Sequence, residues 1–285
     1  MKVIVAGGSG FVGRHLVRSL RVDQHEVVVV SRSPRSSGGI GWDAIRAAVD
    51  GADAVVNLAG ESIGGRWTGG KQERILRSRV ETTNALVGAI AAARRPPLVL
   101  INASGIDYAG DSGDAVVDED AAPGDTFLGR VCNAWEDAAA RSPVRWVAVR
   151  TPLTIARDAP AVRLMALPFR LFVGGRVGTG RQWFPWVHVD DLVRIYTKSI
   201  TDESLRGPLH AVAPQQLRQS EAARDLAHVL HRPAAIPMPA AALRALLGQQ
   251  ADLLLHGQRA VSTKLDRFEF RYRTLRAALA ESLKG

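Results

Sequence analysis

Short runs of β-branched residues take turns with amphipathic stretches along the first half of the chain. KVIVA (2–6) precedes a helical pattern from about Gly10, and HEVVVV (25–30) and DAVVNLA (53–59) come next. A long helical pattern over 71–93, PLVLINAS (97–104), a helix over 125–141 and VRWVAVR (144–150) continue the series. The strands are continuously apolar rather than alternating, as strands covered on both faces are, so the pattern predicts an α/β domain with a doubly wound parallel sheet. After Thr151 the rhythm changes. Glycine-rich GGRVGTG (174–180) runs into WFPW (183–186), and the last 70 or so residues read as helices punctuated by proline, as in HRPAAIPMP. The expected division is a nucleotide-binding domain over 1–155 and a smaller, mostly helical substrate-side lobe over 156–285, with 184–202 returning to the first domain. Ligands of such sheets bind at the carboxyl edge of the strands, where this lobe is expected to pack.

Composition narrows the classes. With 285 residues, 46% of them hydrophobic, the chain can bury one large core or one core and an appended lobe. Its apolar runs are far shorter than the roughly 20 residues of a bilayer span, and no signal-peptide stretch precedes the first strand, so a soluble, cytoplasmic protein without a membrane partner is expected. The net charge of +9 is spread through helical patterns (Arg14, Arg18, Arg21; Arg74, Arg77, Arg79) without a dense basic cluster or interleaved aromatics. That favours a solvated arginine-rich surface over a nucleic-acid footprint. One cysteine, Cys132, excludes an internal disulfide and leaves too few thiolates for a zinc or iron–sulfur site. No metal is expected.

The most informative stretch is VIVAGGSGFVGRHL, which sets Gly7, Gly10 and Gly13 between a strand and a helix. Glycines there permit a tight turn, a close approach of backbone N–H groups to a pyrophosphate and close helix–strand packing. Gly7, Ser9, Gly10, Phe11, Val12 and Gly13 form the expected phosphate-binding set. The second strand ends in SRS rather than in an acidic residue. Ser31, Arg32 and Ser33 offer a cation and two hydroxyls to a ribose 2′-phosphate, where an Asp or Glu would select NAD. NADP(H) is the expected cofactor; the alternative is that Arg32 is a solvent-facing loop residue.

GGSGFVG, SRSP, VVNLAGESI, RWT followed by SRVETT, INASGIDYAG, AWEDAA, LPFRLFVGG, GTGRQWFPWVHVDDL, ADLLLHGQR and KLDRFEFRY run nearly end to end. Together they resemble the extended short-chain dehydrogenase/reductases, and more closely the atypical "epimerase family protein" subgroup of putative nucleoside-diphosphate-sugar epimerases. The resemblance implies a Rossmann-like doubly wound sheet with a smaller, mostly helical C-terminal lobe. It also implies that Leu58, Ala59 and Gly60 run along the cofactor, that Arg74, Arg79 and Ala103 contact it, and that Leu153 and Thr154 meet its nicotinamide end. Ser104 matches the serine that hydrogen-bonds the substrate oxygen. The helices over 71–93 and 125–141 are those that form a homodimer's four-helix interface in many relatives.

Active members of the superfamily transfer the proton with a tyrosine whose pKa is lowered by a lysine four residues later; that lysine also holds the nicotinamide ribose. Here Cys132 and Glu136 stand in those two places. Neither reproduces the pair, since a tyrosine near pKa 10 needs a neighbouring cation, not an anion. Three groups could supply the chemistry instead. Tyr108 either presents its phenol beside Ser104 or is a packing loop tyrosine. Cys132 is either a nucleophile or acid, or an apolar-face packing residue. Glu136 is either a general base raised by burial or a solvated helix residue. His188 reads as a hydrogen-bonded structural histidine. Glu61, Arg181, Gln182 and Trp183 are the expected substrate-side contacts, with interlobe packing the competing role for Trp183 and the favoured one for Trp186. The function expected is that of an NADP(H)-binding oxidoreductase or epimerase-like enzyme acting on a small polar, sugar-nucleotide-like substrate. The alternative is a non-catalytic NADP(H)-binding sensor or interaction protein.

Overall fold

In the computed structural model, which describes residues 1–34 and 39–284, the β/α series unfolds in the predicted order. It begins with β1 (Lys2–Ala6), α1 (Phe11–Val22), β2 (Glu26–Val30), β3 (Gly39–Ile40), α2 (Ile45–Val49) and β4 (Ala54–Asn57). The middle of the chain forms α3 (Gly69–Ala92), β5 (Val99–Gly105), β6 (Val116–Val117), α4 (Phe127–Ala140), β7 (Arg145–Thr151) and β8 (Leu153–Ile155). Then come α5 (Pro160–Arg170), β9 (Trp186–His188), α6 (Val189–Thr201), β10 (Gly207–His210), α7 (Gln219–Leu230), α8 (Ala240–Leu247), α9 (Asp252–Leu255), β11 (Arg259–Ala260) and α10 (Leu275–Leu283).

Seven strands make one sheet in the order β10-β7-β5-β4-β1-β2-β3, every pair parallel. The chain winds outward from β1 through β2 to β3, then returns to the other side of β1 as β4, so the winding reverses between β1 and β4. Side chains alternate across the sheet. Val3, Val5, Val56, Ile101 and Val149 face one core with α1 and α6, whereas Ile4, Ala6, Val55 and Leu100 face a second with Leu86 and Ile90 of α3. Both faces are dry, which is why each strand is apolar throughout. The edge strand β10 is a feature the hydrophobic pattern leaves unmarked, because GPLH is short, opens with Gly-Pro and ends in histidine.

The first core continues from the sheet into α7, α10 and the segment containing Phe268 and Tyr272. A single carboxylate ties that segment down. Asp191, wholly buried at the start of α6, accepts the N–H of Arg271 at 2.8 Å and of Tyr272 at 2.9 Å, and pairs with Arg194 at 3.0 Å. His188 sits one turn earlier as the α6 N-cap: its Nδ1 accepts from the Asp190 N–H, and its ring lies 3.9 Å from that of Tyr272. The sequence reading of His188 as a hydrogen-bonded structural group agrees with these contacts. We predict that Asp191→Ala, which orphans one buried and one part-buried backbone donor, costs about 3 kcal/mol in urea unfolding and makes the chain after Leu265 the first site of limited proteolysis.

Candidate functional site

The turn after β1 lies at the point of winding reversal. Gly7 has φ +76, and a Cβ there would sit 2.7 Å from the Leu58 carbonyl, so only glycine lets β1 and the segment after β4 approach so closely. A side chain at Gly13 would collide with the Gly7 oxygen and the Gly8 backbone, which fixes how tightly α1 packs on the turn. Gly10 is the N-cap of α1; no side chain caps the helix and no acidic residue stands in its first turn. The N–H groups of Phe11, Val12 and Gly13 therefore make no bond within the helix, and with Ser9 beside them they form a donor set suited to an anion. Ser31, Arg32 and Ser33 follow β2 on the same edge, Arg32 and Ser33 exposed and Ser31 half-buried, its N–H bonded to the Ile40 carbonyl.

Leu58, Ala59 and Gly60 leave the end of β4 beside this turn. A buried amide sets their path: Asn57 Oδ1 accepts the Ala59 N–H at 3.1 Å, while its Nδ2 donates to Thr83 Oγ1 and Asn102 Oδ1 at 2.9 and 2.8 Å. Trp135 Nε1 donates to the same Thr83 hydroxyl, so α3, α4, β4 and β5 are locked together at this edge. Glu61 pairs with Lys71 at 2.9 Å, and Arg74 is 3.9 Å away and largely exposed. The hydrogen bond from Lys71 and the positive charges of Lys71, Arg74 and Arg32 hold the Glu61 carboxyl below its usual range. Arg79 points inward from α3 and donates to the Glu61 and Ile75 carbonyls at 3.0 Å each. Ala103 is half-buried on β5; Leu153 and Thr154 lie on β8, beside β9.

Three of the four candidate catalytic residues, Ser104, Tyr108 and Glu136, gather around one arginine that sequence reasoning did not single out. Arg150, at the end of β7 and almost wholly buried, grips Glu136 of α4 through two bonds, Nε to Oε1 and Nη2 to Oε2, both 2.9 Å. Ser104 Oγ donates to Glu136 Oε1 at 2.6 Å. The Tyr108 ring lies on the other side of the guanidinium, whose Cζ is 3.5 Å from the ring centroid. Behind Arg150, Nη1 reaches the Glu119 carbonyl at 3.2 Å and His210 Nε2 at 3.3 Å. His210 Nδ1 is 2.8 Å from the Val261 carbonyl, so Nδ1 carries the proton and Nε2 accepts from the arginine. The Glu119 carboxylate accepts from the His210 N–H, Ser262 Oγ and both the N–H and hydroxyl of Thr263.

This arrangement sets how each candidate group is held. Glu136 is neither solvated nor a free base, because both its oxygens are committed to Arg150. Burial pushes the Cys132 thiol up to about 12, with Asp107 adding to the effect, so at neutral pH it is a neutral group packed against Gly105 rather than a thiolate nucleophile. Tyr108 is also raised above its ordinary value, first by burial and then by Glu136, with Arg150 opposing. Its hydroxyl is a neutral donor with one long contact, 3.4 Å to Asn133. The substrate-side expectations divide. Arg181 is exposed, but Gln182 Nε2 is spent on the Val177 and Leu254 carbonyls, and Trp183 stacks under Arg218 at 3.7 Å with its Nε1 on Asp114. Gln182 braces the lobe internally, whereas Trp183 joins it to the loop before α4, as its packing alternative requires. Trp186 is buried in the core. A cavity of about 200 Å³ lined by Arg176, Ser220 and Arg224 lies in the lobe, and none of the candidate residues lines it.

Comparisons with known proteins agree with this architecture. The family model "NAD dependent epimerase/dehydratase family" matches residues 3–127, and a domain of unknown function, DUF1731, matches 238–282. The chain is 40% identical to the human Epimerase family protein SDR39U1 over 99% of both chains. It belongs to the SDR39U1-like epimerase family. A crystal structure of the human member with NADPH superposes with a TM-score of 0.93 at 39% identity, over 99% of this chain and 98% of that one. A nucleoside-diphosphate sugar epimerase from Corynebacterium glutamicum gives 0.80 at 31% identity, over 99% of this chain and 58% of the other. The chain thus has an NAD(P)-binding oxidoreductase/epimerase-like fold. Among the described residues no helix is long and apolar enough to cross a membrane, and no group of His, Cys, Asp and Glu could hold a metal.

Two predictions follow from the buried cluster. Glu136→Gln or Arg150→Met alone destabilises by about 3–5 kcal/mol in urea unfolding, whereas the pair Glu136→Leu with Arg150→Met recovers most of that loss, because only the single changes strand a buried charge. The second concerns acid. Burial, the first cause, and Arg150 lower His210 from 6.5 to about 4, against the pull of Glu119. A group depressed on folding contributes stability that is complete above its unfolded value and is lost as pH falls through its folded one. Between pH 6.5 and 4 the protein should lose roughly 3 kcal/mol from this residue, and His210→Gln should flatten the decline of the melting temperature over that window.

Proposed function

We propose that the protein is an NADP(H)-dependent oxidoreductase that reduces a carbonyl on a small polar, sugar-nucleotide-like substrate, with Tyr108 as proton donor. The supporting observation is the asymmetry around Arg150. Ser104 has its only proton committed to a carboxylate, so toward a ligand it can only accept; Tyr108, neutral and weakly bonded, is the group able to donate. The donor set fits the cofactor: an uncapped, acid-free helix start beside a positive-φ glycine for the pyrophosphate, and Arg32 with Ser31 and Ser33 for a 2′-phosphate, where NAD would call for a carboxylate. The human relative crystallised with NADPH and the Corynebacterium protein named as a nucleoside-diphosphate sugar epimerase support the cofactor and substrate class.

When bound, the dihydronicotinamide supplies a hydride to the carbonyl carbon. Tyr108 gives its phenolic proton to the carbonyl oxygen, and the guanidinium against its ring faces the negative charge left behind until solvent returns a proton. Ser104, its hydrogen turned to Glu136, accepts the hydroxyl that forms. Glu136 keeps Arg150 and Ser104 in place and takes no proton itself.

Calorimetry and stopped-flow reduction test the reading. NADPH should bind at micromolar concentration, NADH about tenfold or more weakly, and Arg32→Ala should narrow that gap. With a panel of keto-sugar nucleotides, Tyr108→Phe should lower kcat at least a hundredfold at unchanged NADPH affinity. Absence of NADPH binding to the wild-type protein overturns the proposal. Tight binding with no turnover on any carbonyl in the panel favours the sensor reading.

A further inference from the structure

The C-terminal lobe exposes an apolar ridge that the proposed reaction does not use. On α5 the side chains of Val162, Ala166 and Phe169 enter the core, whereas Leu164 and Leu167 face solvent. The exposed stripe runs on through Leu171, Phe172 and Val173, and all five side chains are between 47% and 70% exposed. Ile236 and Met238, also exposed, extend it: their N–H groups donate to the Gly174 and Arg176 carbonyls, which sets that segment against the end of the stripe. The turn at the tip is strained. Phe172 has φ +62 and closes α5 as a left-handed cap, its N–H on the Phe169 carbonyl and the Val173 N–H on that of Pro168. Glycine takes this conformation freely, so an exposed phenylalanine there gives up stability for a ring stacked within the chain on Arg232, at 4.6 Å.

The charge around the ridge has one sign. Neither 159–189 nor 226–251, the two segments that build it, contains an Asp or Glu, and they carry Arg163, Arg170, Arg176, Arg181, Arg232 and Arg244. Arg163, Arg176 and Arg232 donate to main-chain carbonyls rather than to carboxylates. The cavity of about 200 Å³ lies against the same segment, lined by Arg176, Ser220, Arg224, Ala234 and Pro237. We propose that this face lies on an anionic phospholipid surface, with Leu171, Phe172 and Val173 entering the acyl boundary and the Arg176–Arg224 cavity receiving a headgroup phosphate. Among the described residues no helix is long and apolar enough to span a bilayer, so the contact is with the surface of one leaflet. A second copy fits poorly, since a two-fold contact would press one arginine rim on another. An acidic polypeptide would meet the rim but bring its peptide N–H and C=O groups onto leucines that offer them no partner. A bilayer sets phosphate directly over hydrocarbon.

Cosedimentation of the full chain with vesicles tests this independently of the cofactor. Binding to phosphatidylcholine carrying roughly a third of phosphatidylglycerol should exceed binding to phosphatidylcholine alone by about tenfold or more, and should fall as salt rises. Phe172→Gly should leave the melting temperature unchanged or higher, because it removes a left-handed phenylalanine, yet weaken binding to the mixed vesicles about tenfold. Leu171→Ser should weaken it as well. Arg224→Gln should weaken binding to the mixed vesicles and leave that to neutral ones unchanged. No retention on the mixed vesicles, equal retention on both, or retention untouched by Phe172→Gly and Leu171→Ser each overturns the proposal. So does inorganic phosphate that binds the cavity at micromolar concentration while neither vesicle is retained, which assigns the arginines to a free anion. A concentration-dependent dimer that Phe172→Gly dissociates gives the face to a second copy and overturns it too.

Discussion

A carboxylate and a guanidinium, both out of reach of water, face each other at the carboxyl edge of the sheet, and the polar groups around them take their orientation from that pair. Glu136 cannot accept Ser104's hydrogen as a carboxylate unless Arg150 neutralises it, and Arg150 cannot lie under Tyr108 unless Glu136 holds it there. A lone buried charge of either sign costs several kcal/mol, so the two residues are tolerable only together. Glu136 on α4 and the arginine that ends β7 are therefore two halves of one arrangement.

The pair also connects the site to the end of the chain. Arg150 bonds the Glu119 carbonyl and His210, and the Glu119 carboxylate holds Ser262 and Thr263 just after β11. The matched C-terminal domain, 238–282, thereby reaches the groups that bond Arg150 from behind. On the opposite flank Gln250 reaches the Ile63 carbonyl and Gln72 bonds Gln249, so the same domain touches the loop after β4. Its placement and the geometry around Arg150 are mechanically one problem.

The sheet was legible because its signal is local: apolar runs, their spacing and the Gly7–Gly10–Gly13 turn specify strand, turn and helix without reference to distant residues. Edge strand β10 was not, since GPLH acquires its identity from pairing with β7 rather than from its own pattern. Ser104 and Glu136 are nominated by the family resemblance and Tyr108 by its place four residues after Ser104, but the sequence leaves the roles of Tyr108, Cys132 and Glu136 open. The deciding partner, Arg150, lies 14 residues beyond Glu136 in sequence and closes an apolar strand, where it reads as a surface terminus. A charged residue ending a strand at the carboxyl edge, opposite an acidic residue replacing a basic one, was the available signal. Gln182 and Trp183 illustrate the converse: their composition suggests recognition, but their donors are consumed within the protein.

Stability alone does not account for so polar a cluster. Well-packed apolar residues of similar volume hold a core at least as well as a buried ion pair, so the Arg150 network brings no advantage that leucine and methionine would not. What it does provide is a fixed direction for the Ser104 hydrogen, which is turned to Glu136, and a fixed place for the Tyr108 ring against the same charge. A scaffold that only sensed a bound nucleotide would need the glycine turn and Arg32 but no such polarity beyond them. A serine oxygen left free to accept beside a neutral phenol able to donate suits the carbonyl–alcohol interconversion proposed above.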